Sequence, residues 1–239
     1  MSEAMERRAE RLKLARLLGH EPDELHYLED VESSDLRALR EQVTEVLFSS
    51  QGQVLQRLAS ASRLLPVGLV AQMGERIFGP VIAARIAGLL DPDRAVELAA
   101  RLPVSFLADV ACELDPRRVE HVLARIPPSQ TTEVSRELVR RGETVAMGRF
   151  VGCLPDASIR AALGTMDPLT LLQVSFVLEN KEQVPDVVGL LEPGQLEAMV
   201  EAAEEAGLGD EALELLDLLS KEQRAAVMHD LERRGQRTA

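Results

Sequence analysis

The chain has 239 residues, 46% of them hydrophobic and 28% charged, and a net charge of −13 at neutral pH. That apolar content supports a packed core and excludes wholesale disorder; the surplus of 40 acids over 27 bases repels phosphate backbones and disfavours nucleic acid as a partner. Trp is absent, Tyr27 is the single tyrosine and Phe occurs five times, so the interior must be filled by Leu, Ala and Val.

Leu and Ala are strong helix formers, and the expectation is an all-α protein of thin, closely spaced helices. The charge is uneven: −3 over residues 1–63, −2 over 64–180 and −8 over 181–239. The opening MSEAMERRAERLKLARLLG is charged from its third residue and lacks the apolar core of a signal peptide, which points to a cytoplasmic location.

Residues 1–63 read as a charged helical region. Leu12, Ala15 and Leu18, then Leu36, Leu39, Val43, Val46 and Leu47, recur at helical steps. His20-Glu21-Pro22 and Glu32-Ser33-Ser34-Asp35 are breaks, with Ser34 or Asp35 as the next N-cap. His20 and His26, with Glu24, Glu29 and Asp30, form the one His–acid cluster. Helical metal pairs want His at i and i+4 or i+3, so this stretch reads as a polar loop and helix start.

Residues 64–90 read as an apolar connecting helix pair divided at Gly79-Pro80. Pro66, Glu75, Arg76, Pro80 and Arg85 leave no run of about 18 apolar residues, so no transmembrane segment is expected. Ala83, Ala84, Ala87 and Gly88 form a small-residue stripe that permits close helix approach. The stretch is apolar on more than one face and is expected to be buried, as an inner pair or as a homodimer surface. Its sparse basic flank disfavours a membrane surface.

Residues 91–239 carry the strongest pattern. Leu90-Asp91-Pro92 is followed by Pro103, and Leu114-Asp115-Pro116 by Pro127, at the same interval and with a shift of 24. Arg94 matches Arg118, Ala100 matches Ala124, Arg101 matches Arg125 and Leu102 matches Ile126. Leu154-Pro155 leading to Met166-Asp167-Pro168 repeats Leu102-Pro103 leading to Leu114-Asp115-Pro116 at a shift of 52, about two units. Weaker copies begin at Leu191-Glu192-Pro193 and Leu219-Ser220. Recurrence at such a period is the signature of a helical array.

The residues explain the pattern. The carboxylate of Asp91, Asp115 or Asp167 can accept from the free N–H groups of a new helix, and proline suits the first helical position. A Leu-Pro pair stops a helix, because the residue before proline avoids helical dihedrals. Ser220 with Gln223 makes a capping box. Helices of about three turns are marginal alone, so the spacing requires a stack of antiparallel hairpins held by nearest neighbours.

The run from Leu89 to about Glu205 resembles the N-terminal intracellular domain of MgtE magnesium transporters and, more distantly, the helical repeats of the FliG flagellar switch protein. The resemblance rests on Leu90-Asp91-Pro92-Asp93-Arg94-Ala95-Val96-Glu97-Leu98-Ala99-Ala100-Arg101-Leu102-Pro103 and its copies. It implies a right-handed superhelical stack, an α-solenoid, over those residues. In the transporters this domain precedes paired CBS domains and a membrane pore, neither of which follows here, so no ligand residue is carried over.

Glu182 to Asp217 holds eleven acids and no Lys or Arg. Glu201, Glu204, Glu205, Asp210, Glu211 and Glu214 are the metal candidates, since oxygen-only clusters suit Mg²⁺ or Ca²⁺. Without a compact ligand loop, any Mg²⁺ affinity is expected to be weak, and a solvated acidic face is the simpler reading. Cys112 and Cys153 read as buried reduced thiols. Gly-x-Ser-x-Gly, Gly-rich phosphate loops and Gly-x-Gly-x-x-Gly do not occur, so neither catalytic residues nor a cofactor are expected. The function expected is a non-catalytic protein-interaction or regulatory scaffold. The alternative is a Mg²⁺-responsive regulatory module.

Overall fold

A computed structural model describes residues 3–49, 52–178, 180–192, 194–225 and 227. Among these the structure is helical throughout, without a strand. In chain order the helices are α1 (Glu3–Leu18), a 3-10 segment (Pro22–Leu28), α2 (Ser33–Ser49), α3 (Gly52–Ser62), α4 (Val67–Met73), a π turn (Gly74–Phe78) and α5 (Gly79–Ala87). There follow α6 (Pro92–Ala99), α7 (Val104–Glu113), a 3-10 turn (Pro116–Arg118), α8 (Glu120–Leu123), α9 (Pro128–Arg141), α10 (Thr144–Phe150) and α11 (Asp156–Leu163). The last are α12 (Pro168–Phe176), a 3-10 turn (Lys181–Gln183), α13 (Val184–Val188), α14 (Gln195–Glu205) and α15 (Gly209–Leu216).

The chain forms two compact units, one of Met1–Arg37 with Met166–Ala239 and one of Ala38–Thr165. The boundaries expected at 63 and 90 fall inside the second unit. In that unit most helices pack on the next but one: α3 on α5, α5 on α7, α7 on α9 and α9 on α11, with α4 on α6 and α6 on α8, while α10 packs on its neighbour α9. One core comprises Ala84, Ala95, Leu114, Val119 and Val122, flanked by Ala87, Leu90 and Phe150. In the other unit Leu14, Ala15, Leu25 and Leu36 form a core, and α12 packs on α14 and α15.

Proline punctuation sets the helix starts. Pro103, Pro127 and Pro155 are themselves the N-caps of α7, α9 and α11, each with φ near −60° and extended ψ. A Leu-Pro pair (Ile-Pro at residue 127) therefore launches the next helix a few residues after the last one ends, as between Ala99 of α6 and Val104 of α7. The 24-residue unit is a helix pair: one member starts at Asp-Pro and the other at the later proline.

The second copy departs from the first. Pro116 starts a single 3-10 turn, Val119 leaves helical dihedrals at φ −125°, and only the four residues of α8 follow. Val119 is buried in the core with Ala84 and Ala95, so packing has overridden the expected three-turn helix.

Helix C-termini are closed by cations from elsewhere in the same unit, a common answer to orphan carbonyls. Arg94 donates to the carbonyls of Ser62 (3.1 Å) and Leu65 (2.5 Å), just past α3. Arg149 donates to Leu114 (2.6 Å) and Cys112 (3.3 Å) at the end of α7. Gly142, at φ +71°, supplies the left-handed cap of α9 that a side chain would resist.

Candidate functional site

The residues singled out by pattern fall into three groups. The capping residues lie at helix starts. Asp91 Oδ1 accepts from the N–H groups of Asp93 (3.1 Å) and Arg94 (3.5 Å). Asp115 accepts from Arg117 N–H (3.2 Å), and its buried carboxylate also meets the guanidinium groups of Arg117 and Arg118. Asp167 accepts from Thr170 N–H (2.9 Å) and the Thr170 hydroxyl (2.7 Å), which hold its carboxyl below the usual aspartate range. Ser220 and Gln223 bond reciprocally at 3.1 and 3.2 Å.

The acidic residues form the second group. Glu201, Glu204 and Glu205 are exposed on α14, while Glu214 lies on α15. The side chains of Asp210 and Glu211, in the first turn of α15, lie outside the described residues. Among the described residues no group of three or more His, Cys, Asp or Glu is placed to hold a metal ion. His20 pairs with Glu24 at 2.6 Å, and His26 Nδ1 donates to the Asp23 carbonyl (3.1 Å), both at the surface. These contacts order a polar loop.

The apolar stretch is the third group, and here the structure corrects an expectation. Residues 64–90 are not simply buried. Ala84 is in the core, and Gly88 approaches Arg118 and Val119, so the small-residue stripe does pack. Leu64 (87% exposed), Leu69 (46%) and Ile77 (70%) face outward, as do Leu65, Val81 and Leu89. The π turn contributes to this. It takes roughly one residue more than an α turn of about 3.6, so two turns span the eight residues from Leu69 to Ile77 and keep both on one face. No helix among the described residues is long and apolar enough to cross a membrane.

Pattern reading missed one polar cluster. Glu10 and Lys13 on α1 are both buried and pair at 2.9 Å; Arg37 Nε reaches the same Glu10 oxygen at 3.3 Å. Lys181 donates to the carbonyls of Ser175 (2.8 Å) and Phe176, at the end of α12, and Lys13 to that of Leu178 (3.5 Å). Burial, and then the Lys13 ammonium, pull Lys181 down to about 7, while Glu6 and Glu10 oppose this and Arg37 adds to it. A second missed group is Glu3. It accepts from Ser33 N–H (2.8 Å) and the Ser33 hydroxyl (3.0 Å), so α1 caps the start of α2. No local motif announces either, because Lys13 meets Leu178 and Glu3 meets Ser33 only across the fold.

Chemically, the cluster is a clasp. Its amines are engaged by helix-end carbonyls and a carboxylate, which fixes α1 against the end of α12. Cys112 and Cys153 are half-buried and are not joined in a disulfide. Burial and the negative charge of Glu120 push Cys153 up to about 11, leaving it protonated and a poor nucleophile at neutral pH.

No family model matches the chain, and neither the curated proteins nor the solved structures contain a match to it.

Proposed function

We propose that the chain is a non-catalytic protein-interaction or regulatory scaffold built as a right-handed superhelical stack of helix pairs. The observation that carries this reading is the packing order in residues 38–165, where α3, α5, α7, α9 and α11 contact one another in succession and α4, α6 and α8 do likewise. That neighbour-to-neighbour order is how stacked repeats bury their faces. The Asp-Pro and Leu-Pro punctuation supports it, as does the resemblance to the MgtE N-terminal domain and FliG repeats. Stacks of this kind offer broad surfaces to other macromolecules.

Affinity purification from native lysate, followed by mass spectrometry, tests the proposal. The expected result is a protein partner at near-stoichiometric yield that survives a wash at moderate salt. Recovery of no such partner, under conditions where the bait remains helical by circular dichroism, overturns it.

A further inference from the structure

We propose that the outward face of α4 and its π turn is a self-association surface, closed by a second copy of this chain. This goes beyond the scaffold reading and does not depend on it.

The face is aliphatic and regular. Leu69, Met73 and Ile77 lie at four-residue steps, a spacing that the π turn keeps in line. Leu69 and Ile77 are exposed, and Met73 between them is half-buried. Leu65 and Val81, one step further each way and just beyond the breaks at Pro66 and Gly79, are exposed too. The sequence is thus apolar at equal intervals on both sides of Met73. A two-fold axis through Met73 sets Leu69 of one copy opposite Ile77 of the other, which is what an isologous contact requires. Beside this ridge, an added Cβ at Gly68 or Gly74 meets nothing within 4 Å, so bare backbone is open to an approaching side chain.

Charge selects the occupant. The chain carries −13, yet from Leu64 to Ala84 its only charged residues are Glu75 and Arg76, which cancel. Two copies can meet here without opposing their like charges, which are screened over about 8 Å at physiological salt. An anionic membrane would find a single Arg on the face and a strongly acidic chain behind it. Exposed aliphatic side chains gathered on one face, with Ile77 at 70%, mark an interaction surface more often than isolated ones do.

Sedimentation equilibrium of the full chain, from about 1 to 100 µM, tests this. The expected result is a mass approaching twice 26.2 kDa. Ile77→Asp and Leu69→Asp should each weaken association at least tenfold with helicity unchanged. Leu213→Asp, at an exposed leucine outside the face, should not. Met73→Cys should cross-link to itself with a short bifunctional thiol reagent. A chain that stays monomeric throughout overturns the proposal, as does a dimer that Ile77→Asp and Leu69→Asp leave intact. Should Ile77→Asp lose helicity, Leu69→Asp and the Met73→Cys cross-link decide.

Discussion

Gly88 lies so close to Val119 that a Cβ placed on the glycine would stand 3.3 Å from Val119 Cγ1 and 3.2 Å from the Arg118 carbonyl oxygen. The backbone of Gly88 is right-handed helical (φ −72°), so the glycine is there for space and not for dihedral freedom. It lets the end of α5 settle against the 3-10 turn that replaces a regular helix in the second repeat copy.

Gly88→Ala is therefore expected to destabilise, although the same change at an open helical position stabilises by about 0.4–1 kcal/mol. The contacts it forces are with a backbone carbonyl and a buried Val, neither of which can move aside freely. A loss of about 1–3 kcal/mol is expected, read as a lower urea midpoint with an unchanged denaturant slope. An unchanged or higher midpoint would show that the approach is looser than the geometry implies.

Asp167 accepts two hydrogen bonds from Thr170 at the start of α12. Asp167→Ala should cost about 1 kcal/mol, the usual value of an N-cap, and Asp167→Asn should retain most of it at neutral pH. The carboxyl is held below its ordinary value of 3.8. Its contribution is thus present above that pH and lost as acid protonates it. Thermal melts between pH 5 and 2.5 should fall less steeply for Asp167→Asn than for the parent.

Arg149 closes α7 from 35 residues away, through the carbonyl of Leu114. Arg149→Met keeps much of the stem and removes the donors, which leaves two carbonyls short of partners. A loss of about 1–3 kcal/mol is expected, together with faster amide exchange at the end of α7. Exchange unchanged there would mean that solvent satisfies those carbonyls equally well.

Lys181 sets the sign of a pH dependence. Its folded value is about 7, against 10.5 for an ordinary lysine. Between those values the unfolded chain holds a proton that the folded chain releases, so stability should rise with pH from about 7 upward. Lys181→Met, which also removes the donors to the Ser175 and Phe176 carbonyls, should flatten the rise in melting temperature from pH 6.5 to 8.5. The range stops there because Cys153, pushed up to about 11 from 9, acts in the opposite direction at higher pH. A parent melting temperature that does not change between pH 6.5 and 8.5 would argue that Lys181 stays charged in the fold.

The helical class was legible in the sequence, as were the helix starts at Asp91 and Asp167; the N-cap expected at Ser34 or Asp35 was not, since α2 already runs from Ser33. An Asp-Pro start at Asp91 or Asp167 acts through N–H groups two or three residues on, and proline fixes its own φ; such features are local and need no knowledge of what packs where. The core could be anticipated only by composition. The exposure of Leu69 and Ile77 could not, since an apolar run on more than one face looks the same whether neighbours cover it or not.

Tertiary structure alone decided the rest. Arg149 finds Leu114 and Glu3 finds Ser33 across some thirty residues, and Lys181 becomes a depressed amine only because the fold takes it from water. The shortening of the second repeat copy, where Val119 gives up helical dihedrals to enter the core beside Ala84, is of the same kind. Dihedral preference and capping are properties of a few adjacent residues, whereas burial and long-range pairing belong to surfaces that exist only once the helices have met.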